Sequence, residues 1–79
     1  MPPHALRSTT LATADYDPDR QTLDVKLRTG RVYRYFEVPA PVFDELLAAK
    51  SAGRYFNTKI RDRYRAELVY DVRAGGPMR

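Results

Sequence analysis

Apolar and polar residues alternate with a period of two in several stretches of the chain, and in one stretch they recur at helical spacing. From Thr9 to Tyr16 the residues are small, compatible with β structure and loosely alternating, which predicts a first strand. Asp17-Pro18-Asp19-Arg20 then predicts a turn, with Asp17 able to cap it and Pro18 presetting φ near −65°. In Thr22-Leu23-Asp24-Val25-Lys26-Leu27 the odd positions are apolar and the even ones polar, the period of a half-buried second strand. The segment from Tyr64 to Val72 alternates in the same way and predicts a last strand. Between them, Val42, Phe43, Leu46, Leu47 and Ala49 form one stripe at helical spacing.

The turn at Arg28-Thr29-Gly30 decides which face the third strand turns inward. With three loop residues and Gly30 in the left-handed position, Val25 faces Tyr33 and Leu23 faces Tyr35, so both tyrosines join the apolar side. A two-residue loop would set them opposite Lys26 and Asp24 on the polar side, and would force Thr29 to a positive φ. The three-residue loop is therefore expected. Pro41 suits the first helical position, with Asp44 and Glu45 in the first turn and Lys50 at the end to complement the helix dipole. Ser51 is expected to cap a second, shorter helix running through Phe56 to Arg61. The order is β-β-β-α-α-β: an α+β fold with a small antiparallel sheet of three or four strands and two helices on one face.

Length allows one domain only, expected over residues 6–73 between flexible tails at 1–5 and 74–79. Hydrophobic residues make up 43% and charged residues 30%, a globular balance. Without cysteine there is no disulfide, thiolate zinc site or thiol nucleophile, and a cytoplasmic location is the expectation. Neither a signal peptide nor a membrane span is expected, because no apolar run is long enough. The net charge of +4 is unevenly placed. Arg54, Lys59, Arg61, Arg63 and Arg65 face one acid, Asp62, within twelve residues, and the rest of the chain is balanced.

Catalytic chemistry finds little support. His4 is the sole histidine and sits beside prolines, and Ser51 is better explained as a cap than as a nucleophile. Asp15-Tyr16-Asp17-Pro18-Asp19 has Arg20 and Lys26 where a calcium loop needs Gly and Glu, so a plain turn is expected there. Gly30 and Gly53 are isolated, so no phosphate-cradling glycine loop is present. Asn57 is expected to brace the second helix. The chain is not expected to be an enzyme, and no metal or cofactor is expected.

Three motifs in order, Tyr16-Asp17, then Leu23-x-Val25-x-Leu27-x-x-Gly30-x-x-Tyr33-x-Tyr35-x-x-Val38-Pro39, then Ser51-x-Gly53-x-Tyr55-Phe56-Asn57-x-x-Ile60-Arg61-x-x-Tyr64, resemble the KTSC domain. That family is named for the C-terminal extension of some lysyl-tRNA synthetases and also occurs as free-standing bacterial proteins; a central Tyr-x-Tyr is its recognised feature. The resemblance covers residues 8–64 and implies a stand-alone member with a suggested RNA-binding role, but it carries over no catalytic residue.

Two functions from different classes follow. The first is an RNA-binding module for a structured, tRNA-like ligand: Arg54, Lys59, Arg61, Arg63 and Arg65 hold phosphates, with Lys26, Arg34 and Phe36 as a second patch. Against it stands the plainer reading of the basic run as a solvated face beside helix C-terminal carbonyls. Tyr33 and Tyr35 could stack bases, but their expected register favours the core. The second function is a protein-interaction or adaptor domain that pairs with a partner or its own copy through the last strand.

Overall fold

The computed structural model describes residues 4–71 and the backbone of 76–77. Four strands, β2 (Leu11–Asp17), β3 (Thr22–Leu27), β4 (Val32–Tyr35) and β5 (Ala66–Asp71), form an antiparallel sheet in chain order. A two-residue strand flanks it at each edge, β1 (His4–Ala5) on β2 and β6 (Gly76–Pro77) on β5. Helices α1 (Ala40–Ala48) and α2 (Ala52–Lys59) lie between β4 and β5. The α+β fold is as expected, with more strands than three or four. Two assignments to loose tails change, because His4 and Ala5 pair with Ala14 and Thr13, and Gly76 and Pro77 pair with Asp71 and Tyr70. Strands of two residues are too short for any side-chain periodicity to announce them.

The hairpin β3–β4 has the expected register: Leu23 opposite Tyr35, Val25 opposite Tyr33, and Gly30 at φ 97°. Leu27 and Arg31 close the loop through a backbone bond of 2.8 Å. Two bulges modify the simple alternation. Leu11 pairs with Leu27 and Thr13 with Lys26, so Ala12 is an extra residue in β2. That insertion lets Leu11 share the buried side with Ala14 and Tyr16 although their parity differs. In β5, Leu68 pairs with Tyr33 and Tyr70 with Val32, leaving Val69 extra. The strict alternation expected from Tyr64 to Val72 therefore fails: the strand starts at Ala66, Tyr70 is exposed, and Val72 lies outside the described residues.

The core gathers the inward row of the sheet (Leu11, Ala14, Tyr16, Leu23, Val25, Tyr35) under Phe43 and Leu46 of α1 and Phe56 of α2, with Ile60 behind them. Tyr16 stacks on Phe43 and Tyr35 meets Phe56 edge-on, both with centroids just over 5 Å apart. Helix α1 starts one residue earlier than expected, at Ala40, with Pro39 as its N-cap and Pro41 still in the first turn. Asp44 and Glu45 consequently fall beyond the first turn and Lys50 beyond the C-cap Ala49, so the expected dipole complement is absent. Pro39 supplies the extended cap from which Ala40 enters the helix, at φ −65° and ψ 148°. Helix α2 is capped by Ser51, whose Oγ accepts from the Arg54 amide, and ends at Lys59 rather than Arg61.

The passage from sheet to helices is fixed at Val38, which is fully buried. Its amide donates to the Gln21 carbonyl at 2.8 Å, and its carbonyl accepts from the Tyr16 hydroxyl. The flanking backbone is unusual: Gln21 and Glu37 both have positive φ, at 55° and 57°. Replacing Tyr16 by Phe keeps the ring but strands a buried carbonyl, so Tyr16→Phe should destabilise the fold by about 1–3 kcal/mol in chemical denaturation. Burial raises the phenols of Tyr16, Tyr35 and Tyr55 above the ordinary value, with Asp17 and Asp44 adding to the effect at Tyr16. The folded state thus holds these protons longer than the unfolded chain. Stability should be intact below the unfolded phenol pKa of about 10 and fall as pH rises past it toward the folded values. Denaturation midpoints at pH 9 and 11 would measure the fall, and an identical fall in Tyr16→Phe would acquit Tyr16 of any part in it.

Candidate functional site

The two faces of the sheet differ in chemistry. Away from the helices, cross-strand neighbours share a face, which aligns Asp15, Asp24, Arg34 and Glu67 in one row. Arg34 grips Asp24 with two bonds, Nε to Oδ1 at 2.8 Å and Nη2 to Oδ2 at 2.9 Å. The hydrogen bond and charge of Asp24 hold the Arg34 guanidinium protonated even more firmly than usual. Phe36, on the same face, is covered by the Arg65 guanidinium 4.5 Å from its ring centre, and the Phe36 amide donates to the Arg65 carbonyl. The surrounding depression is lined by Asp15, Asp17 and Asp24 as well as Arg20 and Arg34. Of the second patch expected from the sequence, Arg34 and Phe36 are therefore engaged internally, and Lys26 is exposed opposite Val32.

The basic run divides in space. Arg54 and Asn57 of α2 and Arg61 of the following turn line two clefts beside the helix. Arg65 goes to the other face, and Lys59 and Arg63 are exposed without lining either cleft. One cleft, about 460 Å³, is bordered by Arg31, Tyr33, Asn57, Arg61 and Asp62. Arg31 is partly neutralised there by Asp71, whose carboxylate lies 3.4 Å from its Nε. Tyr35 is buried, as its register implied, while Tyr33 is half-buried and forms part of the cleft wall.

A second cleft, about 450 Å³, adjoins the first at Thr10 and Asn57. Its walls are the Arg7–Thr10 loop on one side and Lys50, Ser51, Gly53 and Arg54 on the other. Close packing creates it: a Cβ on Gly53 would come within 3.0 Å of Ser8 Oγ. Arg28 straps the loop from beneath, donating to the carbonyls of Ser8 at 3.1 Å and Leu6 at 3.2 Å, while its amide reaches Thr10 at 2.8 Å. Ser8 Oγ holds the amides of Thr10 and Leu11, both at 3.1 Å. Arg7, Ser8, Thr10 and Lys50 were not among the binding residues expected from the sequence. They lie outside the basic run, and only tertiary contact brings them to α2.

Groups with catalytic potential have structural employment. His4 meets Phe43 edge-on at 5.4 Å, and both serines accept backbone amides. Among the described residues there is no group of three or more His, Asp or Glu side chains able to hold a metal, and no helix long and apolar enough to cross a membrane.

Comparison with known proteins assigns the fold a family. A protein of Tsukamurella paurometabola is 44% identical over 61 residues, which is 77% of this chain and 91% of that protein. A lysine–tRNA ligase of a Nostoc species is 40% identical over 54 residues, 68% of this chain but only 10% of the ligase. The crystal structure of a KTSC domain protein from Yersinia pestis superimposes with a TM-score of 0.82 at 26% identity, covering 86% of this chain and 96% of that one. Residues 7–64 match the KTSC domain, with the sheet, both helices and both clefts inside or beside that span, and the chain belongs to the KTSC domain family.

Proposed function

We propose that the chain is a non-catalytic, cytoplasmic RNA-binding domain that holds the phosphate backbone of a structured, tRNA-like RNA along the joined clefts beside α2. The observation that carries this reading is that Arg54 and Asn57 of α2 and Arg61 of the turn after it all line the joined clefts, with Tyr33 in the wall of one. Cations spaced along a groove suit a regularly charged backbone, and a half-buried aromatic offers a ring edge to a base. The occurrence of a similar segment within lysine–tRNA ligases adds support from context.

The open sheet face is a weaker candidate. Its carboxylates outnumber its free cations, since Arg34 is committed to Asp24 and Arg65 lies over Phe36. The alternative of strand pairing with a second protein through β5 also has less support, because β6 already pairs with Tyr70 and Asp71 on that edge.

Fluorescence anisotropy with labelled total tRNA tests the proposal. Four or five phosphate contacts would give a log affinity that falls with log salt at a slope of about −3 to −4. The double substitution Arg54→Glu and Arg61→Glu should abolish binding while Lys26→Ala leaves it unchanged. Loss from Lys26→Ala with binding kept in the double variant would move the interface to the open sheet face, and no binding of the unmodified protein at low salt would end the RNA reading.

A further inference from the structure

The cleft between the Arg7–Thr10 loop and the start of α2 is lined by cations, hydroxyls and a carboxamide. Three cations reach it from three separate segments: Arg7 after β1, Lys50 in the connection between the helices, and Arg54 in the first turn of α2. No lining residue is acidic. None of the three cations forms an ion pair among the described residues, whereas Arg20, Arg31 and Arg34 each have an aspartate. Cations gathered around one cleft without a counter-charge raise a positive potential there, and an anion relieves it.

The uncharged lining narrows the kind of anion. Ser8 Oγ accepts two backbone amides, so its own proton is left to donate outward. The hydroxyls of Thr9 and Thr10 and the carboxamide of Asn57 add further donors on the same rim. Donors from several directions, two of the cations being planar guanidinium forks, match a tetrahedral oxyanion with three or four acceptor oxygens better than a flat carboxylate. The site is also held in shape before any ligand arrives, by the Arg28 strap and by the Gly53 approach to Ser8.

We propose that this cleft is a phosphate subsite, in which Arg7, Lys50 and Arg54 neutralise one phosphoryl group and Ser8 and Thr10 orient its oxygens. Its position at one end of the groove rests on the RNA reading; its anion chemistry does not. The phosphate belongs either to a nucleic-acid backbone or to a free phosphorylated small molecule, and the test separates the two.

The experiment is amide NMR of the ¹⁵N-labelled chain titrated with inorganic phosphate, against sodium chloride at matched ionic strength. Saturable shifts at Ser8, Thr10 and Arg54 are expected with phosphate alone, and they should vanish in Arg7→Ala/Lys50→Ala. Both replaced side chains belong to exposed residues, and retained dispersion of the variant's spectrum certifies its fold. Shifts that are absent, are spread over Arg61 and Arg63, or persist unchanged in the variant overturn the subsite, whatever tRNA does. With the subsite upheld, the same variant in the tRNA assay identifies the source. A salt slope flatter by about 1 for each cation removed assigns the cleft to backbone phosphate. Unchanged tRNA binding, or none by the unmodified chain, assigns it to a free phosphorylated ligand, and the second of these outcomes also removes the RNA reading while leaving the subsite in place.

Discussion

The structure depends on how a sheet with one buried face is joined to the helices that bury it. That junction is Val38. Both of its backbone polar groups are buried, and each has a partner: the Gln21 carbonyl for its amide, the Tyr16 hydroxyl for its carbonyl. Tyr16 therefore does two jobs, since its ring stacks on Phe43 while its hydroxyl satisfies the residue that leads into α1. An unpaired carbonyl at this depth would cost as much as a substantial fraction of a small domain's stability. The two left-handed residues, Gln21 and Glu37, bend the chain so that these bonds can form.

From that junction the position of α2 follows, and with it the clefts. Ser51 starts the helix, Gly53 brings its first turn against Ser8, and Phe56 and Ile60 sink into the core. Once those contacts are made, Arg54, Asn57 and Arg61 have no choice but to border the groove. The same framework separates charge by face. One side of the molecule carries unpaired cations around an acid-free cleft, and the other carries a cross-strand ladder in which Asp24 and Arg34 satisfy each other.

Much of this was legible in the sequence, for identifiable reasons. Gly30 set the register of β3 and β4 because only a residue tolerant of positive φ fits that turn, and the register then sent Tyr35 inward. Ser51 was readable as a cap because a hydroxyl just ahead of a helical stripe has one obvious use. The edge strands were not legible, since β1 and β6 are two residues long, too short to leave a side-chain period. The bulges were not legible either, because an extra residue looks like imperfect alternation until the partner strand is known. The basic run was visible as a cluster in sequence but not as a division in space. A turn after Ile60 sends Arg61 to the groove and Arg65 across to Phe36, whereas Arg7 and Lys50 reach the groove from segments outside the run.

The extra residue in β2 bears on how such a chain can vary. Ala12 stands outside the ladder to β3, and its carbonyl accepts the Leu6 amide at 2.9 Å. Losing Ala12 would leave Leu11 opposite Leu27 and Thr13 opposite Lys26, a simply alternating strand with Leu11 still inward. Drawing it into the ladder instead would slip the register by one residue, turn Leu11 outward and swing the loop of Arg7 and Ser8 away from Gly53. In this part of the chain a shortened strand would be tolerated better than a straightened one.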